Sequence, residues 1–250
     1  TLGQYGGWSE ITDVIQDTHE DPILQGMMQV HGQQASESFE TLTYLTLRAG
    51  TNVVYANGSA RNAVNTKISL GKVRSAVRTL NKNKCRKKTT ILAPSVNYKT
   101  QAIEAAYVAV CHTDLEPDIR DMPGFVPVSQ YGSRQPICPQ EFGSVENIRF
   151  ITTTIATPFA DAGGLDGDAV LSTTGTNADV YPVIIFGEDA YGTVAMKGRD
   201  SAEILVRNPG KPEKGNELGQ VGSVGWKGWH VAARLNEAWM VRLEVAASLL

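Results

Sequence analysis

One segment, Asp21 to Gly50, has the pattern of a single long helix, which we call the spine helix. Its apolar residues recur three, four or seven positions apart and therefore fall on one face. The residues expected to pack on this face are Leu24, Met28, Ala35, Phe39, Leu42, Leu45 and Ala49. Asp21-Pro22 and Gly50 provide start and stop signals. At 1.5 Å per residue, such a helix runs roughly 40 Å and needs partners along its length.

The C-terminal segment 229–245 has the alternating pattern of β-structure. Apolar residues from Trp229 to Leu235 and from Trp239 to Val245 occupy every second position, on either side of a turn at Asn236-Glu237. This pattern predicts a β-hairpin with one buried face. We expect Trp229 and Trp239 to pack beneath the spine helix.

The remaining pattern indicates an α+β fold, with the long spine helix on an antiparallel sheet. Short strands are predicted at 53–55, 148–157, 180–186 and 203–207, from runs rich in β-branched and aromatic residues. Segments 123–139 and 160–179 are rich in Pro, Gly and small residues and are predicted to be loops. The chain is therefore expected to contain an inserted, loop-rich domain.

Charge is distributed unevenly along the chain. The net charge is −3, yet residues 41–103 contain twelve Lys or Arg and no Asp or Glu, so the remainder carries −15. Ser69 is expected to cap an amphipathic basic helix, which leads into a cationic run. This basic segment, 67–88, is interpreted as a solvated surface, a contact to copies of the chain, or a contact to nucleic acid. The candidate contact residues are Lys72, Arg74, Arg78, Lys82, Lys84, Arg86, Lys87 and Lys88.

No pattern typical of catalysis, cofactor binding or a metal site is present. The three cysteines are widely spaced and the four histidines are scattered. His31 falls within the apolar stripe, so we expect a core or interface histidine. Cys85 is flanked by cations, which can lower a thiol pKa, but a structural or exposed thiol is the preferred interpretation. No run of eighteen apolar residues predicts a membrane span.

Short motifs follow one another in an order that resembles the major capsid proteins of tailed phages of the N-four-like family. The resemblance covers nearly all of the 250 residues. Gln140-Glu141-Phe142-Gly143 stands where that family usually has Gly-Glu-Ile-Gly. The motifs are Tyr5-Gly6-Gly7-Trp8-Ser9-Glu10-Ile11-Thr12-Asp13, Tyr55-Ala56-Asn57-Gly58, Gln140-Glu141-Phe142-Gly143, Ile148-Arg149-Phe150-Ile151-Thr152-Thr153, Phe186-Gly187-Glu188-Asp189-Ala190-Tyr191-Gly192 and Gly222-Ser223-Val224-Gly225-Trp226-Lys227.

The resemblance implies a Hong Kong 97-type capsid fold and a major capsid protein. Such a protein self-assembles into pentamers and hexamers of an icosahedral phage head enclosing double-stranded DNA. A peripheral domain is expected from residues 1–60 and 200–250, and an axial domain from residues 61–199. The family also has an N-terminal arm and an extended loop before the position of Tyr5.

The expected partners are identical subunits, packaged DNA on the interior face, and scaffold, cement or portal proteins, with no membrane. The expected location is the virion, and the host cytoplasm during assembly. The matched residues are structural in that family, so no catalytic function carries over. Two alternatives stay open: a non-specific nucleic-acid-binding protein that uses segment 67–88, and an enzyme with an unrecognised site.

Overall fold

The computed structural model describes residues 2–18, 23–92, 100–132, 134–167, 169–194, 202–212 and 214–249. The chain divides into two compact units. The first comprises Thr1–Leu45 and Thr193–Ala233, and the second Thr46–Gly192 and Arg234–Leu250. The assignment of peripheral and axial domains stays a prediction.

Helices and strands alternate irregularly along the described residues. The helices are α1 (Asp13–Thr18), α2 (Ile23–Arg48), α3 (Leu70–Lys82) and α4 (Glu116–Arg120). The strands are β1 (Gly3–Thr12), β2 (Val53–Tyr55), β3 (Lys88–Leu92), β4 (Thr100–Cys111), β5 (Phe125–Pro127), β6 (Glu141–Val145), β7 (Ile148–Thr152), β8 (Tyr181–Phe186), β9 (Tyr191–Thr193), β10 (Ala202–Arg207), β11 (Val221–His230), β12 (Ala232–Arg234) and β13 (Met240–Val245).

The predicted spine helix is present as α2, 26 residues long. Its predicted N-terminal signal, Asp21-Pro22, lies outside the described residues. Ala35 is buried, and Leu24, Met28, Phe39 and Leu42 are half-buried. Leu45 departs from the prediction because it is 48% exposed. At 100° per residue, Leu45 lies about 80° round the helix from Ala35, at the edge of the apolar stripe.

In the first unit, α2 packs on an antiparallel sheet with the strand order β1-β11-β10. The Phe39 ring stacks on His230, with 5.0 Å between ring centroids, and meets Trp226 edge-on at 5.5 Å. The Trp226 indole N–H donates to Gln34 Oε1 at 3.1 Å. The prediction of a long helix on an antiparallel sheet is therefore confirmed.

The predicted hairpin 229–245 is wrong. Residues 221–230 form β11, which pairs with β1 and β10, whereas β13 pairs with β8 and β2. Trp226, rather than Trp229 or Trp239, is the tryptophan that contacts α2 at Phe39. Trp239 belongs to the second unit, where its indole N–H donates to Asn83 O at 3.1 Å. The alternating pattern did not specify which strands pair.

Both faces of β13 are buried, although its sequence alternates apolar and charged residues. Glu244 is fully buried and accepts hydrogen bonds from two nitrogens of Arg61, at 2.9 and 2.8 Å. Arg242 Nε lies 2.8 Å from the same carboxylate. The charged side of the strand can lie in the interior because its charges are paired. Alternating apolar and charged residues usually indicate that the charged face of a strand is exposed to solvent. In β13 they instead indicate a buried face whose charges are paired.

The second unit is built on an eight-stranded mixed sheet. Its main strand order is β2-β13-β8-β4-β7-β6-β5, and β3 pairs with β4. The buried side of α3 contributes Val73, Ala76, Val77 and Leu80 to the core of this unit. Predicted strands 53–55 and 180–186 correspond to β2 and β8. Segment 123–139 was predicted to be irregular but contains β5 and a short 3₁₀ turn, Val128–Gln130.

Candidate subunit and nucleic-acid contact surface

The cations of α3 form a stripe on its solvent side. Arg74, Arg78 and Lys82 are exposed and lie four residues apart, so they follow one another along the helix surface. Lys72 is half-buried beside the core-facing residues. Ser69 occupies the predicted N-cap position, but its side chain makes no capping hydrogen bond. The structure thus places these four candidate residues on one helix as predicted.

The helix ends in a turn that presents further cations. Lys84 has a φ of 55°, in the left-handed region, and the Cys85 N–H donates to Leu80 O at 3.0 Å across this turn. Glycine is the usual residue at such a C-terminal position, because a side chain there is strained. Lys84 and Arg86 are exposed on either side of Cys85. Lys84 therefore carries a positive charge at a position where glycine would adopt the backbone conformation with less strain.

Lys87 and Lys88 continue the basic segment into β3. Both side chains are half-buried, and Lys87 Nζ lies 5.7 Å from the centre of the Tyr107 ring. These two lysines are therefore less accessible to a partner than the exposed cations of α3. The eight predicted residues lie in sequence order along α3, its C-terminal turn and the start of β3.

Few of these cations are neutralised within the described part of the chain. Arg74 Nε lies 2.6 Å from Glu146 Oε1, and neighbouring Lys67 lies 3.8 Å from the buried carboxylate of Asp118. No ion pair involves Arg78, Lys82, Lys84 or Arg86 among the residues that the structure describes. Like charges at this spacing repel one another on an isolated helix. The surface is therefore suited to an anionic partner.

Cys85, in the middle of the basic segment, is a buried structural thiol. Burial raises its pKa to about 11, so the flanking cations do not produce a reactive thiolate. Its Sγ lies 3.6 Å from Trp239 O, and a side-chain carbon at Gly187 would come within 2.3 Å of that sulfur. Gly187 is required there because the two segments approach so closely. The interpretation of Cys85 as a structural thiol agrees with this environment.

His31 lies where the spine helix meets β1. It is 5% exposed, and its Nε2 is 3.1 Å from Ser9 Oγ. Within the described ranges, no group of three or more His, Cys, Asp or Glu side chains could hold a metal ion. The described helices include none that is both long and apolar enough to cross a lipid bilayer.

A cluster of three half-buried arginines beside the buried Glu244 in the second unit was not predicted from the sequence. The guanidinium groups of Arg48 and Arg61 lie 3.8 and 3.5 Å from the centre of the Phe159 ring. The carboxylate of Glu244 binds Arg61 and Arg242, as described above. The only sequence signal was charge at every second position of a strand, which also fits a solvated face. These residues stabilise the unit rather than contribute to the basic surface.

Comparison with known proteins identifies the fold and the family. The capsid of Ralstonia phage GP4 superposes with a TM-score of 0.72 at 11% identity, covering 98% of this chain and 73% of that one. The head protein of Helicobacter pylori bacteriophage KHP40 gives 0.66 at 10% identity, covering 98% and 74%. The SrpI encapsulin complex from Synechococcus elongatus gives 0.54 at 11% identity, covering 98% and 74%.

At these identities the structural likeness establishes a shared fold, the Hong Kong 97-type capsid fold. A comparison with curated protein sequences gives no match. The model of the family described as "Phage capsid protein" matches residues 1–243, nearly the whole chain. This chain is a member of the phage capsid protein family, a structural protein of the virion shell.

Proposed function

We propose that copies of this chain form the pentamers and hexamers of an icosahedral phage head that encloses double-stranded DNA. The observation that carries the proposal is the family match over residues 1–243. The shared fold with capsids and heads of other phages supports it. A closed shell repeats each contact many times, so interfaces of modest strength suffice. Assembly takes place in the host cytoplasm, the function is structural rather than catalytic, and scaffold, cement or portal proteins are further partners.

The basic surface from Lys72 to Lys88 is proposed to contact a neighbouring subunit. Support comes from the charge of the N-terminal segment. Residues 1–45 contain seven Asp or Glu and no Lys or Arg. On α2, Glu37 and Glu40 are exposed. Complementary patches on identical subunits speed association and fix its orientation.

Packaged DNA is the second candidate for the same surface. The exposed cations Arg78, Lys82, Lys84 and Arg86 are well suited to phosphates, which are contacted without reading the base sequence. In that arrangement the shell forms normally and its interior attracts DNA. The two candidates predict different defects when the charges are removed.

Assembly itself is tested by sedimentation and negative-stain microscopy of the purified full-length protein. The proposal predicts large closed particles with five-fold and six-fold rings. A protein that stays monomeric at high concentration would contradict it, provided that scaffold protein has also been supplied.

The contact made by the basic surface is tested by Arg78→Ala with Lys82→Ala. A matched control is Lys211→Ala with Lys214→Ala, which removes two exposed cations from the first unit. If the surface contacts a neighbouring subunit, the first pair slows shell formation more than the control does. Normal shells with weaker, less salt-dependent DNA binding would assign the surface to DNA. If both double variants form shells and bind DNA equally well, the basic surface contacts neither partner and is simply exposed to solvent.

A further inference from the structure

The edge strand β10 of the first unit is unusually apolar on both faces. Ile204, Leu205 and Val206 are 45%, 46% and 43% exposed. One edge of β10 pairs with β11 without a bulge, and among the described residues no strand pairs with the other edge. Soluble proteins usually protect such an edge with proline, a bulge or inward-pointing charge. A flat, apolar edge is suited to the addition of another strand.

A groove beside β10 leaves room for side chains of an added strand. It has a volume of about 340 Å³ and lies between α2 and the sheet, where Gly32, Ala35 and Ser36 face Ala202 and His230. A side-chain carbon at Gly32 would lie 3.9 Å from Ile204 Cδ1. Glycine within a helix costs about 1 kcal/mol in propensity. Here the small residues keep the space next to the exposed edge open.

We propose that β10 pairs antiparallel with β10 of a second copy across a two-fold axis, with Leu205 opposite Leu205. The occupant is a second copy because the strand is complementary to itself. With Leu205 on the axis, Glu203 of each copy lies opposite Arg207 of the other. Ile204 then lies opposite Val206, so apolar residues meet on the groove side.

The same register follows from the faces of the sheet. Ile204 pairs with Trp226 on the side covered by α2, whereas Glu203, Leu205 and Arg207 lie on the opposite, outer side. Glu203 already lies 3.4 Å from Lys227, which holds it on that outer side. A two-fold axis perpendicular to the sheet keeps the outer side of both copies outward. Centring the pair on Ile204 or Val206 instead would place a charged residue opposite Leu205.

This contact has a defined place in a shell and rests on the proposed function. Contacts within a five- or six-membered ring are head-to-tail, whereas a β10–β10 contact uses the same surface on both copies. It therefore joins subunits of adjacent rings. Such a contact turns separate rings into a continuous shell.

The test is disulfide cross-linking in assembled shells of the full-length protein. Leu205→Cys is made in a Cys138→Ser background, since Cys85 and Cys111 are buried. Directly opposed residues of antiparallel strands have Cα atoms about 4.5–5.5 Å apart, within disulfide range. Val206→Cys is the matched control, because it is similarly exposed but its two copies would lie about 8 Å apart.

Mild oxidation is expected to convert most Leu205→Cys subunits into a band at twice the 27.0 kDa chain mass on a non-reducing gel. Val206→Cys is expected to stay monomeric on the gel. Shells that form but give no cross-link at position 205, or equal cross-linking at both positions, would overturn the β10 pairing and leave the shell function intact. Failure of the unaltered protein to form shells would instead contradict the proposed function.

A charge exchange tests the register without cysteine. Because Glu203 also pairs with Lys227 of its own chain, both variants are made in a Lys227→Ala background. There, Glu203→Arg alone is expected to weaken shell formation, and combining it with Arg207→Glu is expected to restore it, because the two charges then exchange places across the axis. A double variant that assembles no better than the single one would overturn the register.

Discussion

The buried carboxylate of Glu244 is expected to be among the most sensitive positions of the second unit. Glu244→Gln keeps the size of the side chain but removes the charge that pairs with Arg61 and Arg242. The Arg242 side chain is 11% exposed and the Arg61 side chain is 33% exposed, so Arg242 in particular has little water to replace its anion. Removing one partner of a buried ion pair costs about 3–5 kcal/mol.

Because Arg61 retains access to water, we expect the lower end of that range, about 3 kcal/mol. For a unit of this size, that loss lowers the unfolding midpoint by about 6–12 °C. Thermal unfolding of unassembled subunits, followed by circular dichroism, measures the shift. The hydrogen bonds to this carboxylate raise the pKa of Arg61 in the unaltered protein. In the variant that contribution is lost, but the ordinary pKa of arginine is far above 7, so Arg61 stays charged and cannot avoid the cost by losing its proton.

An exposed pair of the same chemistry provides the control. Arg74 and Glu146 lie 2.6 Å apart, but their side chains are 62% and 34% exposed. Glu146→Gln is therefore expected to change stability by at most about 1 kcal/mol. If Glu244→Gln is no more destabilising than Glu146→Gln, the buried ion pairs of Glu244 do not contribute more to stability than an exposed pair. The claim that paired charges allow both faces of β13 to be buried would then be wrong.

Three further predictions concern the spine helix, a titrating carboxylate and the thiols. Phe39→Asp is expected to abolish folding or assembly because it inserts a charge between α2 and the Trp226 ring, whereas Gln29→Ala, at an exposed position, is expected to leave folding intact. Normal assembly of Phe39→Asp would refute the spine assignment. Burial alone would raise the pKa of Glu237, but hydrogen bonds from Thr51 and the nearby Arg234 lower it below its ordinary value. The stabilising effect of the charged carboxylate is therefore present above the ordinary pKa of glutamate and is lost as the pH falls through the lowered pKa, so the stability deficit of Glu237→Gln at pH 7 should disappear in acid. Maleimide at pH 7 should leave Cys85 unlabelled in the native protein, because burial shields it and raises its pKa to about 11; fast labelling found by mass spectrometry would contradict its structural role.

The helical parts of the fold could be predicted well because their signals are local. The apolar spacing of α2 and the amphipathic pattern of α3 depend on residues three or four apart, and both helices occur close to their predicted bounds. Strand β2 was also found at its predicted position. The spacing of apolar residues along a helix shows which of its faces is buried, whatever element the helix packs against.

Strand pairing could not be predicted in the same way. The two halves of segment 229–245 show equal alternation, yet the first half is divided between β11 and β12 while the second contains β13, and these three strands belong to three different sheets. The partner of Glu244 is Arg61, 183 positions away, and no local pattern indicates that pair. Period-two alternation marks two faces but does not distinguish a solvated face from one with paired charges.

The candidate surface was predicted as a set of cations, and the structure adds which of them are neutralised. Exposure of Arg78 and Lys82 follows from the same pattern that buries Val77 and Leu80. The pairing of Arg74 with Glu146 depends on a contact across 72 positions and was not predictable. The edge strand β10 was predicted as a strand, but only the sheet order shows that it lies at an edge.

Whether this chain is the subunit of a closed phage shell can be seen by cryo-electron microscopy of particles assembled from it. We expect an icosahedral reconstruction in which pentamers and hexamers are built from one subunit. In each subunit, a 26-residue helix should lie on a three-stranded sheet. Particles without five-fold and six-fold rings, or rings whose subunits lack that helix and sheet, would show that this chain does not form such a shell.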